Sequence, residues 1–247
     1  MAEELMAAAS RHRGERITAV HYEDVPTPVR RYLAAAVPEN RPRVQRVRFT
    51  QAGLFRTRDE GEHWQPFTAE QHVSTDPPGF VWEASIRMAP FLSVRVADTY
   101  QEGRGALRAR LLGVVPLAEA AGPEMDEGEM MRYLAEAIWY PTALVPDERL
   151  SWRPVDERSA LAVMNDGGRE VAVKFSFDEE GMVFRIDADR FHAENGGYRK
   201  RPWTAYCGVY ELRDGFRIPL EARVVWHYPK VDLEYFEGRI QSIEYDP

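Results

Sequence analysis

The sequence predicts a mainly β protein built on a single highly curved antiparallel sheet, a half-barrel of about ten or eleven strands. N-terminal helices and one inserted helix are expected to cover the concave apolar face of that sheet. Two patterns predict this class: from Val44 onward apolar residues recur at every second position, and short turns rich in Gly, Asn and Asp separate several of these segments. Such short links favour antiparallel neighbours, because parallel strands need long crossover connections.

Residues 1–38 are predicted to contain the N-terminal helices. The stretch from Ala2 to Arg13 is rich in helix-forming residues. A second helix is expected to begin after Thr27 as its N-cap, with Pro28 at the first helical position, and to end at Pro38.

The first β section is predicted over residues 43–116, and its clearest strand runs from Phe80 to Met88. Apolar and polar side chains alternate along this segment, so Trp82 is expected to point towards the apolar face and Glu83 away from it. A shift of one residue would reverse every side chain, so this alternation decides which residues are buried.

Residues 126–140 are predicted to form the inserted helix. Asp126, followed three residues later by Glu129, is typical of a capping box, and Pro141 ends the helix. An apolar stripe on one side of this helix should pack on the sheet: Met130, Leu134, Ala137 and Ile138.

The second β section is predicted over residues 150–246, so that residues 1–247 form one domain. Its strands separate an apolar face from a charged face that holds Arg185 and Glu221. The alternation places on the apolar face, among others, Phe184, Tyr206, Tyr210 and Trp226.

Composition excludes several classes of protein. The formal net charge of −8 leaves no excess of cations for non-specific binding to nucleic acid. Cys207 is the only cysteine and the six histidines are scattered, so no disulfide, metal or other cofactor is predicted. The N-terminus has no apolar run of signal-peptide length and no apolar run reaches the length of a membrane span, so a cytoplasmic location is expected unless truncation has removed an anchor.

The apolar face is larger than two or three amphipathic helices can cover. This excess predicts either a sheet that curls upon itself or a cavity for an apolar small molecule or lipid, which is the expected partner. The residues predicted to bind it are in phase with the apolar face or end the inserted helix: Trp82, Met88, Asp98, Tyr100, Trp139, Tyr140, Tyr206 and Trp226.

Asp98 differs from the other predicted ligand-binding residues because it carries a charge. A carboxylate in phase with Tyr100 would be partly buried and needs a partner, for which Arg108 and Arg110 are the candidates. No catalytic residue is predicted, because none of the common nucleophile, metalloprotease or nucleotide-binding motifs occurs. Two other functions stay open: an enzyme that uses polar groups in the same pocket, and a packed scaffold that acts through its surface.

Five segments carry a resemblance to a known family. They are 26–33 (PTPVRRYL), 64–71 (WQPFTAEQ), 78–84 (PGFVWEA), 133–144 (YLAEAIWYPTAL) and 240–246 (IQSIEYD). Over roughly residues 25–246 the chain resembles a bacterial family of uncharacterised proteins, DUF6544/DUF6920, which implies no established activity. The order of elements also looks like the LolA-like lipoprotein-carrier architecture, a half-barrel whose concave face is closed by helices, and this likeness implies a fold rather than a function.

Overall fold

The computed structural model describes residues 1–8, 15–56, 63–194 and 196–246. Its α-helices are α1 (Ala2–Ala8), α2 (Thr27–Ala36) and α3 (Pro123–Glu136), and short 3-10 helices span Ala19–Tyr22, Ala137–Trp139 and Pro141–Leu144. Two short strands, β1 (Arg16–Ile17) and β2 (Arg41–Pro42), pair with each other. None of the described helices combines the length and apolar character that crossing a membrane requires.

All remaining strands form one antiparallel sheet, which confirms the predicted fold class. The strands are β3 (Arg46–Arg56), β4 (Trp64–Thr75), β5 (Pro78–Ala89), β6 (Leu92–Gln101), β7 (Arg104–Leu111), β8 (Val115–Ala121), β9 (Leu150–Asp156), β10 (Ser159–Asp166), β11 (Arg169–Phe177), β12 (Val183–Glu194), β13 (Gly197–Arg213), β14 (Phe216–His227) and β15 (Asp232–Tyr245). Their order across the sheet is β8-β7-β6-β5-β4-β3-β15-β14-β13-β12-β11-β10-β9. Each half of the chain is therefore a meander, and β3 and β15 join the halves.

The sheet has 13 strands, more than the ten or eleven predicted. The two strands that the sequence pattern does not reveal are β8 and β9, which are the two edges of the sheet. Most residues of both strands are exposed, so neither strand has the buried apolar face that produces the alternating pattern.

The helix boundaries differ from those predicted. Helix α3 begins at Pro123, with Gly122 as its N-cap, rather than at Asp126. Asp126 accepts a hydrogen bond from the backbone N–H of Gly105 at 2.8 Å, so its carboxylate joins the helix to β7 instead of capping the helix. Helix α2 has Pro26 as its N-cap, so Thr27 is already its first residue.

The structure describes the N-terminal helix α1 over Ala2–Ala8, and the predicted continuation to Arg13 lies outside the described residues. The C-terminal part of the inserted helix, predicted as α-helical to Tyr140, is a separate 3-10 turn over Ala137–Trp139.

One end of the first β section closes onto the second. The Tyr100 hydroxyl donates to Asp166 at 2.7 Å, where β6 ends and β10 ends. The two hairpin turns also touch through glycines, because a Cβ added to Gly103 would lie 2.7 Å from the Cα of Gly167. Only residues without a side chain permit this approach, and Gly103 also has a φ of +75°. The open sheet thus curls until its two halves meet.

Local irregularities reverse some predicted faces. A bulge between β11 and β12 pairs Phe177 with Val183, so Val183 is buried and Phe184 is 41% exposed. In β13 the alternation is interrupted at Val209, which has a φ of 56°. Tyr210, beyond this point, packs against the core, as predicted, and its hydroxyl donates to the carbonyl of Val183 at 2.8 Å. The inward prediction for Tyr206, before that point, is wrong.

Candidate functional site

The concave face carries a continuous group of aromatic side chains, here called the aromatic wall. It consists of Phe55 on β3, Phe67 on β4, Trp82 on β5, Trp226 on β14, and Tyr235 and Phe236 on β15. The ring centroids of Phe67 and Phe236 are 5.2 Å apart, and those of Phe55 and Tyr235 are 5.8 Å apart. Strand alternation explains most of the wall, since Phe55 pairs directly with Phe236 in the sheet register.

The wall is buried on one side and open on the other. Phe67, Trp82 and Trp226 are buried, whereas Phe55, Tyr235 and Phe236 are only partly buried. Met88, a predicted ligand-binding residue, lies further along β5 and is also only partly buried. Part of this concave apolar surface is therefore not covered by the helices.

A network of charged side chains borders the wall beneath α3. Arg132 forms a close ion pair with Asp98 of β6, and its Nε donates to Glu136 Oε1 at 2.8 Å. Gln71 Nε2 donates to the other oxygen of Glu136 at 2.6 Å. From the opposite side, Arg190 of β12 lies 3.5 Å from Glu129. This charge network (Gln71, Asp98, Glu129, Arg132, Glu136, Arg190) joins the two halves of the sheet through α3.

The partner of Asp98 is not one of the two predicted arginines. Arg108 points to the outer surface and pairs with Glu119 at 2.9 Å, and Arg110 is exposed. The alternation of β7 explains this. Asp98 lies opposite Leu107, and Arg108, the next residue on β7, points to the opposite face of the sheet from Leu107. The actual partner, Arg132, belongs to α3, which packs across the strand.

Burial sets the protonation of the two central carboxyl groups. Burial, together with the nearby Asp98 carboxylate, raises the pKa of Glu129 to about 8. Asp98 Oδ1 and Glu129 Oε2 are both buried and neither accepts a hydrogen bond from any N–H of the described residues. Burial also raises the pKa of Asp98, and one proton shared by the two carboxyl groups resolves both absences, because the protonated acid can donate to the other carboxylate.

Two arginines link the network to the wall. The guanidinium carbon of Arg132 lies 5.0 Å from the ring centroid of Trp82, and that of Arg190 lies 5.9 Å from Trp226 and 4.9 Å from Trp203. The indole N–H of Trp203 donates to the hydroxyl of Tyr235 at 3.0 Å. The site is thus an apolar surface with one polar border.

The other predicted ligand-binding residues lie elsewhere. Tyr100, Trp139 and Tyr140 belong to the closed core, where the Trp139 indole donates to the Pro219 carbonyl at 2.9 Å and the Tyr140 hydroxyl to the Tyr133 carbonyl at 2.7 Å. Their polar groups are therefore already used within the protein.

Tyr206 lies on the outer, charged face rather than on the concave one. In the sheet register it stands between Arg185 and Arg223, whose guanidinium carbons lie 5.9 and 4.6 Å from its ring. Trp203 and Ala205, whose positions alternate with that of Tyr206, belong to the hydrophobic core. Of the eight predicted residues, Trp82, Asp98 and Trp226 lie at the wall or the network, and Met88 lies beside them.

The cavities differ from the predicted one. A small cavity beneath α3, lined by Tyr133, Leu134 and Asp76 among others, measures about 30 Å³, which is room for a water molecule. An open depression of about 540 Å³ lies over the central strands, with Gly53, Gly208 and Gly238 among its lining residues. Its lining combines small and apolar residues with four charged ones, Glu221, Arg223, Glu237 and Arg239, so it differs from the predicted pocket enclosed by the apolar face.

Sequence reasoning missed several members of the site. Phe55 and Phe67 lie in alternating segments, so the period-two pattern could have identified them. Tyr235 was hidden because a register shift in β15 places it next to Phe236 on the concave side. No group of histidine, cysteine and acidic residues suited to a metal ion occurs in the described ranges.

Comparisons with known proteins give one family and one fold likeness. A family model described as "Family of unknown function (DUF6544)" matches residues 15–238, which include the wall and the network. No curated protein matches the chain. Among solved structures, the crystal structure of the LolA superfamily protein NE2245 from Nitrosomonas europaea is similar, with a TM-score of 0.46 and 10% identity over 92% of this chain and 93% of that one.

Proposed function

Because the chain belongs to DUF6544, a family of unknown function, its role has to come from its own residues, and we propose that it binds an apolar or lipid-like small molecule on the aromatic wall. One observation carries this proposal: Phe55, Tyr235 and Phe236 remain partly exposed on the concave face of the sheet. Contiguous exposed apolar surface of this kind marks binding sites more often than isolated apolar residues do.

The border of the wall is suited to the hydrocarbon chain of a ligand. With Glu129 protonated, the positive charges of Arg132 and Arg190 balance the negative charges of Asp98 and Glu136. A network with two charges of each sign is neutral as a unit, so an apolar chain beside it meets no uncompensated charge.

The network also offers one hydrogen bond to a ligand. Arg190 Nε is buried and has no acceptor among the described residues. A carbonyl or carboxyl oxygen of the ligand would supply that acceptor, while the hydrocarbon part covers the rings. A fatty acid or an acyl ester has this combination of groups, and burial of its chain supplies most of the binding free energy, at roughly 25 cal/mol per Å².

Titration with fatty acids and acyl esters tests the proposal. Trp82 and Trp226 belong to the wall, so bound ligand should change the tryptophan emission. Ligand at about 100 times its dissociation constant should add roughly 2.7 kcal/mol to the free energy of unfolding. Phe55→Ser and Phe236→Ser should each weaken binding about tenfold or more, whereas Phe184→Ser, on the outer face, should not. A lipid panel that changes neither the emission nor the melting temperature would rule out the proposal.

A catalytic role is the second candidate, and one observation favours it. Burial raises the pKa of Glu129 to about 8 and raises that of Asp98 as well, so this pair keeps a proton at neutral pH, as a general acid requires. Glu129→Gln preserves shape and neutrality but has no proton to give. Under this alternative the wild type would convert a bound ester and the variant would bind it without conversion. Recovery of unchanged ligand from the wild type, measured by mass spectrometry, would exclude it for the compounds tested.

A further inference from the structure

Two neighbouring hairpin turns expose large apolar side chains, here called the apolar tips. One turn joins β5 to β6 and the other joins β7 to β8, and Leu112 N donates to Ser93 O at 2.9 Å between them. The tips are Phe91, Leu92, Leu112, Val114, Val115 and Leu117. Phe91 is 101% exposed and Val114 is 75% exposed, so these side chains project from the surface instead of lining a groove.

The residue types at the tips are not the ones that stabilise such turns. Phe91 and Leu112 have φ values of 63° and 51°, in the left-handed region where Gly, Asn and Asp are the favoured residues. A bulky apolar residue at such a position costs stability in the folded chain and exposes hydrocarbon to water. Its presence at both turns points to a contact outside the chain.

Three arginines accompany the tips on the outer face of the same strands. Arg87, Arg95 and Arg110 are exposed, and none has a carboxylate within ion-pair distance in the part of the chain that the structure describes. Arg95 and Arg110 lie directly opposite each other in the register, where like charges destabilise a sheet. The chain as a whole has a formal net charge of −8, so this cluster is a local exception.

We propose that the apolar tips and these three arginines dock the protein on the surface of an anionic lipid bilayer. The tips would insert their side chains among the acyl chains near the interface, and the arginines would lie at the depth of the phosphate groups. The acidic remainder of the protein is repelled by the same surface, so the protein would be oriented with this face towards the lipid.

This docking surface is independent of the proposed ligand site, although the two are adjacent. Met88 precedes the first turn on β5, and Ile86 pairs with Phe67 of the aromatic wall. A docked protein would therefore hold the open side of the wall near the bilayer. Failure of lipid docking would leave the binding of soluble ligands untouched, so separate experiments test the two proposals.

Sedimentation with vesicles tests the docking. The wild type should bind phosphatidylcholine vesicles that contain phosphatidylglycerol, and bind pure phosphatidylcholine vesicles more weakly. Arg95→Gln with Arg110→Gln should weaken binding to the anionic vesicles about 25-fold, at about fivefold per cation. Phe91→Ser with Val114→Ser should weaken binding to both kinds of vesicle about tenfold or more. Leu212→Ser and Arg104→Gln, which change exposed residues outside the patch, are the matched controls and should bind as the wild type does.

Insertion can be measured directly with an environment-sensitive label. In a Cys207→Ser background an NBD-maleimide label should react only with the thiol of Phe91→Cys, because the partly exposed native thiol is then absent. NBD emission should increase and shift to the blue with anionic vesicles, while the same label on Leu212→Cys should not respond. Absence of vesicle binding by the wild type, equal responses at the two labels, or a patch that instead forms a dimer by light scattering would each overturn the proposal.

Discussion

The two ends of the first β section have the same architecture and opposite chemistry. At one end the links 76–77 and 102–103 contact the second β section through an Arg149–Asp76 ion pair at 2.8 Å and the Tyr100–Asp166 hydrogen bond. At the other end the links 90–91 and 112–114 carry the apolar tips and contact nothing beyond their own neighbours in the described residues. Turns of similar length thus serve either to close the fold or to present a surface.

The comparison teaches that residues at the two ends contribute differently to the stability of the fold. The closed end uses glycines where backbones meet and charged groups where partners exist, so each residue there stabilises the fold. The free end has bulky side chains at left-handed positions and facing arginines, so its residues stabilise the fold least. We expect substitutions to show this difference in the free energy of unfolding.

The largest effect is expected in the charge network that holds the closed side together. Arg132→Leu leaves Asp98 and Glu136 without their cation in a buried site and should cost about 3–5 kcal/mol in urea denaturation. Arg48→Leu removes one partner of the exposed Arg48–Glu70 pair and should change the free energy of unfolding far less, because solvent screens that pair. Equal losses for the two variants would mean that the network is not effectively buried.

A smaller effect is expected at the glycine contact. Gly103→Ala places a Cβ 2.7 Å from the Cα of Gly167, whereas Gly168→Ala at the same φ of +75° meets no atom within 4 Å. Both variants carry the cost of a left-handed alanine, so their difference, about 1–3 kcal/mol, isolates the close approach of the two turns. Equal unfolding midpoints in urea would show that the turns separate easily.

The pH dependence of stability should report on Glu129. Its pKa is about 8 in the folded protein and near 4.5 when unfolded, so the folded state holds an extra proton between these values. Stability should therefore fall as pH rises through this window, by up to about 1.4 kcal/mol per pH unit. Glu129→Gln should flatten the dependence measured by urea denaturation at pH 6 and pH 8. A variant that keeps the wild-type slope would assign the proton to another group.

The smallest effect is expected at the free end. Phe91→Asn should change the free energy of unfolding by no more than about 0.5 kcal/mol, and in the stabilising direction, because Asn tolerates the left-handed conformation. By contrast, Tyr100→Phe at the closed end should cost about 1.5–3 kcal/mol, although it removes a single oxygen atom. A large loss for the Phe91 variant, seen as a lower melting temperature, would show that the tip is part of the core.

Local patterns predicted the fold class but not every face. The alternation from Phe80 to Met88 placed Trp82 correctly, because an uninterrupted strand fixes the side of each residue. The same reasoning failed for Phe184 and Tyr206, where a bulge and a positive φ shift the phase. Such irregularities depend on pairing with a neighbouring strand, and alternation within one strand does not reveal that pairing.

The candidate site was predictable only in part, for a related reason. Asp98 was identified as a buried carboxylate, but its partner Arg132 comes from a helix 34 positions away that crosses the sheet. Arg190 belongs to the other half of the sheet and meets Glu129 only because the sheet curls. Contacts of this kind are set by tertiary curvature, which period-two alternation does not encode.

The prolines of the two edge strands bear on how separate molecules behave in concentrated solution. An open sheet has two free edges, and each offers unpaired backbone groups on which a strand of another molecule can add. Pro116 in β8 and Pro154 in β9 each lack an N–H, which interrupts the hydrogen-bond pattern that such an addition needs. We therefore expect these two prolines to limit the addition of further strands at the edges of the sheet.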